Sequence, residues 1–228
     1  IVVEIVRSDD SLCTRERLRS NLRRTYTIII MRYSYAIEQA IRAAAVLHKD
    51  QVRKGAVPYP YITHLYAVAM IVADYTNDEN AVVAALLHDT VEDTDYTIEE
   101  LTEDFGGPVA EIVRTLTEPS AKSTEYPNSA ARKKQYLKQL KGGKEESLIV
   151  VAADKIHNMR SMVEEYYEDH TRFLADFGSA IENRLQFYQE LSNILNRNLK
   201  NAILSEFNSV FTEYKQFILN VEKKRNEY

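Results

Sequence analysis

The chain has 228 residues, 45% of them apolar and 28% charged, with a formal net charge of −5. That is the make-up of a soluble globular protein with enough chain for one sizeable domain. Cys13 is the single cysteine, which excludes an internal disulfide, and no apolar run reaches the roughly 18 residues of a membrane span. A reducing, cytoplasmic setting without membrane attachment is therefore expected. The acidic balance leaves no broad cationic face for DNA or RNA, and points to a small ligand met by local cations or a metal.

Residues 1–30 carry scattered arginines from Arg7 to Arg24, but Glu4, Asp9, Asp10 and Glu16 do not suit an acid-poor transit peptide. They are expected to be an extension of unknown role, with Met31 a candidate native start. A helix is predicted from Tyr33 to about Val52, with Ile37, Ile41 and Ala44 on its apolar face. Pro58 and Pro60 then interrupt, and Thr63 is expected to cap a second helix whose buried face holds Ala67, Val68 and Ile71. Asp78 should cap a third, apolar almost all round, ending at His88-Asp89. Thr97 and Glu100 form a capping box for a short helix that stops at Gly106-Gly107, and Pro108 suits the first turn of the next. A polar stretch through Asn128 reads as a mobile loop, followed by a helix over Ala130–Leu140. The run Leu148 to Ala153 could be a strand, but Ile156, Met159 and Val163 continue it at helical spacing. Helices over about 179–196 and 202–222 complete an all-α chain. The expected organisation is a core over residues 31–178, with residues 179–228 packed on or extending it and offering a surface for self-association.

The chemistry gathers on three of these helices. His64 shares a stripe with Ala67, Val68 and Ile71, His88 and Asp89 close the apolar third helix, and Asp154 lies within the most apolar run of the chain. A bare buried carboxylate costs several kcal/mol, on the order of what one domain can spare, so Asp154 must be paired, hydrogen-bonded or bound to metal. Two imidazoles and two carboxylates form a mixed nitrogen and oxygen set suited to Mn²⁺, Fe²⁺ or Zn²⁺ with open positions for a hydrolytic reaction. Glu92 and Asp93 stand four residues beyond His88 and Asp89, where a continuing helix would stack them beside the metal as proton acceptors. Arg53, Lys54 and the trio Arg132, Lys133 and Lys134 are candidate phosphate cations, although a solvated helix face accounts for the trio equally well. Asn158 sits one turn after Asp154 and is open to a ligand or to a local contact. His48 reads as a core histidine, and His157 and His170 as surface or outer residues.

Taken in order, Arg53-Lys54-Gly55, Pro60-Tyr61-Ile62-Thr63-His64, the block Leu86 to Thr94 and the block Ala153 to Arg160 resemble the hydrolase domain of RelA/SpoT proteins, over roughly residues 34–165. The resemblance implies an HD-domain helical bundle that removes the 3′-pyrophosphate of guanosine tetra- and pentaphosphate. It implies Mn²⁺ at His64, His88, Asp89 and Asp154, a catalytic acidic pair at Glu92 and Asp93, and nucleotide contacts at Arg53, Lys54 and Asn158. The length suggests a stand-alone layout without synthetase or regulatory domains. Leu65 departs from the proline that commonly follows the metal histidine, and Lys155 replaces an arginine of many long members. Alternatives of other classes are a phosphatase for NADPH or an adenosine alarmone, and a nucleotide sensor without turnover.

Overall fold

The computed structural model describes residues 33–120, 124–177 and 181–226, so the expected extension over residues 1–30 lies outside the described residues. Among these, secondary structure is helical, with one isolated antiparallel bridge between Val52 and Pro60. Helix α1 (Tyr35–Leu47) is capped by Ser34, whose hydroxyl accepts the Ile37 N–H. It stops short of the expected Val52 because the following backbone is committed elsewhere. Arg53 N–H donates to Tyr59 O at 2.8 Å and Tyr61 N–H to Gln51 O at 3.0 Å, folding residues 51–61 into a tied loop.

Helix α2 (Ile62–Tyr75) corrects a second expectation, since Thr63 lies inside it and caps nothing. The chain is already helical at Tyr61, and the Thr63 hydroxyl donates back to Pro60 O at 2.8 Å. Asp78 does cap α3 (Glu79–Leu87), accepting the Asn80 N–H at 2.9 Å, and every residue from Ala81 to Leu87 is buried. The helix breaks at His88-Asp89, and α4 (Thr90–Asp93) restarts as a single turn with Asp93 N–H donating to Asp89 O. The reciprocal capping box of Thr97 and Glu100 opens α5 (Ile98–Phe105). Gly106 closes it at φ +86°, a left-handed angle that favours glycine, and α6 (Gly107–Leu116) follows. Asn128 caps α7 (Ser129–Lys141).

The long α8 (Glu145–Glu168) settles the status of the Leu148–Ala153 run, which is buried all round because α2, α3, α6, α10 and α11 surround the helix. Asp169 then interrupts with extended backbone, and its side chain accepts the Arg172 N–H to start α9 (His170–Phe177). That helix escapes a reading by periodicity because one residue separates it from α8. The chain finishes with α10 (Ile181–Asn198), which also meets α7, and α11 (Ile203–Asn226), which runs against α8.

The two threonine and aspartate assignments separate cleanly in a stability measurement. Asp78→Ala removes a true cap and is expected to cost about 1 kcal/mol, whereas Thr63→Ala should stay within about 0.5 kcal/mol. Urea midpoints of the two variants provide the check.

Candidate active site

Three helices converge on one point. His64 enters from the first turn of α2, His88 and Asp89 from the break between α3 and α4, and Asp154 from the centre of α8. His64 Nε2 lies 3.3 Å from Asp154 Oδ1 and 3.6 Å from Asp89 Oδ2. His88 Nε2 lies 3.2 Å from Asp89 Oδ2 and 3.8 Å from Asp154 Oδ1. His64, His88 and Asp154 are all buried, and their ligand atoms lie within 4.8 Å of one another, close enough to hold one ion. The sequence-predicted quartet is therefore gathered in space.

The imidazoles are oriented from behind. His88 Nδ1 is 2.8 Å from Ala85 O, and a carbonyl only accepts, so that nitrogen carries a proton. In neutral His88 the lone pair is then on Nε2, a buried atom with no hydrogen-bond partner that faces two carboxylates. An acceptor facing acceptors is repulsive unless a cation intervenes, either a second proton on the ring or a metal. Burial works against the proton, but the Asp89 and Asp154 carboxylates together outweigh it and raise His88 well above the usual imidazole range. Burial dominates instead at His64 and lowers it. His64 Nδ1 rests 2.9 Å from His157 Nδ1, and burial, with the neighbouring imidazole and Arg53 adding to it, pushes His157 down to about 4. One proton bridges these two rings, and with His64 Nδ1 as the donor its Nε2 lone pair is turned into the cluster. The donor set, its backing and the orphaned nitrogen all fit a divalent metal.

Asp154 is held by Lys155, whose Nζ lies 2.5 Å from Oδ2, and by Asn158 Nδ2, which donates to Oδ1. Burial opposes its charge, yet Lys155 and the two histidines keep Asp154 well below the ordinary carboxylate range. Asn158 Oδ1 accepts from Arg53 Nη2 at 2.8 Å, so both ends of this amide are engaged, and the Arg53 guanidinium also sits 5.6 Å from the Tyr61 ring centroid. Lys54 is exposed within the tied loop and does not line the cavity over the cluster. That cavity encloses about 260 Å³.

Glu92 lines the cavity and its Oε2 accepts the Glu118 N–H at 3.1 Å. Partial withdrawal from water raises its carboxyl to about 7, against the pull of that hydrogen bond, with Asp89 and Asp93 adding to the rise. Asp93 is raised for the same first reason. Both residues keep contact with solvent, which screens part of these effects.

A family model for the HD domain matches residues 40–181. The chain belongs to the HD-domain family. It is 33% identical over 165 residues to the guanosine-3′,5′-bis(diphosphate) 3′-pyrophosphohydrolase MESH1 of Danio rerio, covering 65% of this chain and 89% of that protein. It is 39% identical over 128 residues to a probable GTP pyrophosphokinase of Mycobacterium leprae, covering 55% of this chain but spanning only 16% of that relative. Among solved structures it shares the fold of a metazoan ortholog of SpoT described as hydrolysing ppGpp. The TM-score is 0.64 at 24% identity, over 81% of this chain and 98% of that one. A Listeria monocytogenes protein matches at a TM-score of 0.58 and 26% identity, over 69% and 99%.

Several residues of this HD domain's cavity are not evident from motif spacing. Tyr61 donates its hydroxyl to Asp89 Oδ2 at 2.7 Å, and Lys155 is a half-buried counter-charge. Arg184, Phe187 and Tyr188 of α10 and Lys133 of α7 complete the wall. Of the basic trio, Arg132 lies 3.7 Å from Glu118 and Lys134 is exposed, leaving Lys133 as the member that faces the cavity. His48, buried as expected, is more than filler, since its Nδ1 meets Gln51 Oε1 at 2.7 Å and Gln51 Nε2 donates to Asp93 O at 2.9 Å.

A metal that binds only the folded chain stabilises it by about 2.7 kcal/mol at a hundredfold excess over its dissociation constant. Mn²⁺ is accordingly expected to raise the melting temperature of chelator-treated protein. His88→Ala and Asp154→Asn should abolish the increment, and elemental analysis of the same samples should show the metal lost.

Proposed function

We propose that the chain hydrolyses guanosine 3′,5′-bis(diphosphate) and its pentaphosphate analogue, using Mn²⁺ held by His64, His88, Asp89 and Asp154 and releasing pyrophosphate. The observation that carries this reading is the buried His88 Nε2, unpartnered and facing Asp89 and Asp154 in a cavity whose wall also presents Lys133 and Arg184. Acid and imidazole groups on one side suit a metal, and cations on the other suit phosphate. The similarity to the Danio rerio pyrophosphohydrolase, most of whose length is matched, supports the choice of substrate.

When bound, a divalent ion at this cluster would supply Lewis-acid charge to the phosphoryl group under attack. The chain's own groups do the rest. Glu92, with Asp93 beside it, accepts the proton of the attacking water. The oxygen of that water joins the phosphorus next to the ribose 3′ oxygen, the bond from that phosphorus to the 3′ oxygen breaks, and the 3′ oxygen takes up a proton from solvent, to which Glu92 returns its own. Lys133 and Arg184 offset the charge of the departing pyrophosphate. Arg53 is held between Asn158 and Tyr61, where its guanidinium can stack on or hydrogen-bond a base, and exposed Lys54 of the same loop adds a point charge. Asn158 couples the two halves, since it holds Asp154 with one end and Arg53 with the other.

Product analysis tests the assignment. Incubation with guanosine tetraphosphate and Mn²⁺ should yield GDP and pyrophosphate as a unit. Orthophosphate instead, or faster turnover of NADPH to NADH, would move the substrate assignment elsewhere while leaving the metal cluster intact. Glu92→Gln is expected to lose on the order of a hundredfold in kcat while retaining metal.

The pH profile carries the same residue. A proton acceptor must be ionised, so activity should fall as pH drops through the Glu92 titration. A cation beside the carboxylate favours its charged form, so from a starting value of about 7 the acidic limb of the loaded enzyme should lie at or below that pH. In Glu92→Gln the residual activity should lack this limb.

A further inference from the structure

Glu165 stands three turns beyond Asp154 on α8 and belongs to no motif. Eleven residues at about 100° each bring it round to nearly the same face of the helix, and Asn158 falls between them on that face. Its carboxylate reaches the loop that carries Arg53. Glu165 Oε2 accepts the Ala56 N–H at 2.9 Å. Gly55 beside it is at φ +143°, and a Cβ there would fall 2.0 Å from Glu165 Oε1, so the carboxylate occupies the space of the missing side chain. Gly55 is buried in consequence, although the residues from Val57 to Pro60 are exposed.

We infer that Glu165 is a positioning residue that clamps the Gly55-Ala56 turn onto α8 and thereby holds Arg53 in place for substrate. Among the described residues two hydrogen bonds tie this loop to α8, Arg53 to Asn158 and Ala56 to Glu165. The remaining ties of the loop tip are internal, Arg53 N–H to Tyr59 O and Tyr59 N–H to Val57 O, and these would travel with the loop if it swung away. A guanidinium on a four-bond stem loses considerable rotamer freedom when fixed, so its usefulness depends on a backbone that is already still. Glu165 supplies that stillness from a helix whose rotation is set by the buried cluster three turns away. One rigid element thus registers the metal-facing carboxylate and the loop arginine to each other.

The inference rests on the reading of Arg53 as a nucleotide contact, and the experiment keeps the two apart. Glu165→Ala, Glu165→Gln, Arg53→Ala and the Glu165→Ala/Arg53→Ala double variant are assayed with Mn²⁺ and guanosine tetraphosphate, alongside hydrogen exchange at the Ala56 amide. Glu165→Ala should raise KM on the order of tenfold with kcat little changed, as expected for loss of preorganised binding. Glu165→Gln keeps an acceptor oxygen for Ala56 and should restore most of the loss. In the Arg53→Ala background, Glu165→Ala should add little, because the two act through one interaction. Ala56 exchange should accelerate in Glu165→Ala and recover in Glu165→Gln. Full additivity with Arg53→Ala, a fall in kcat at constant KM, or unchanged Ala56 exchange would each overturn the clamp. Should the wild-type chain leave guanosine tetraphosphate intact, the proposed substrate fails and the Ala56 exchange pattern alone decides the clamp.

Discussion

A carboxylate sits in the enclosed stretch of α8, and the surroundings of Asp154 are arranged to make that tolerable. Neighbouring positions on α8 are apolar and fully enclosed, so the helix cannot rotate to bring the acid to water without exposing Leu148 to Ala153. Its charge must be met where it is. Lys155 meets one oxygen and Asn158 the other, while His64 Nε2 and His88 Nε2 stand 3.3 and 3.8 Å from that second oxygen. Breaking such a buried set by removing one member typically costs about 3–5 kcal/mol, far more than a surface pair contributes. The positions of α2 and α3 relative to α8 follow from this requirement as much as from apolar packing.

The same constraint explains why two histidines in contact with the same acids behave oppositely. His64 has a second imidazole behind it and no fixed acceptor, so burial wins and the ring stays neutral. His88 has a carbonyl behind it, which commits Nδ1 to a proton and turns the other nitrogen toward Asp89. Backbone geometry at the end of α3 thereby fixes the tautomer of a side chain in the site.

Much of this was legible in the residues. The buried acid among apolar neighbours, the histidine on an apolar stripe and the acidic pair after His88-Asp89 each announce a polar group that needs a partner, and capping at Asp78 and Thr97 follows from local chemistry alone. Other features depend on contacts distant in sequence and leave no periodic trace. Nothing near Tyr61 announces that its hydroxyl reaches Asp89, and a lysine next to an aspartate on a helix is ordinary until both are enclosed. Thr63 misleads because a threonine after a proline turn imitates a cap, while the turn itself had already begun the helix. Helix α1 ends before its apolar periodicity does, because the pairing of Gln51 and Arg53 with Tyr59 and Tyr61 depends on contacts that leave no periodic trace.

The wall supplied by α10 has a consequence for how the site comes into being. His64, His88, Asp89, Glu92 and Asp154 are all in the first three quarters of the chain, whereas Arg184, Phe187 and Tyr188, which close the cavity over them, come later. Residues of α8, α10 and α11 share one apolar core with α2 and α3, and a domain of that kind folds as a unit. The ion-binding groups therefore acquire their water-poor surroundings only with α10 in place. A chain ending before Arg184 would leave the same acids and imidazoles facing solvent, where water competes for every donor atom and charges attract one another less.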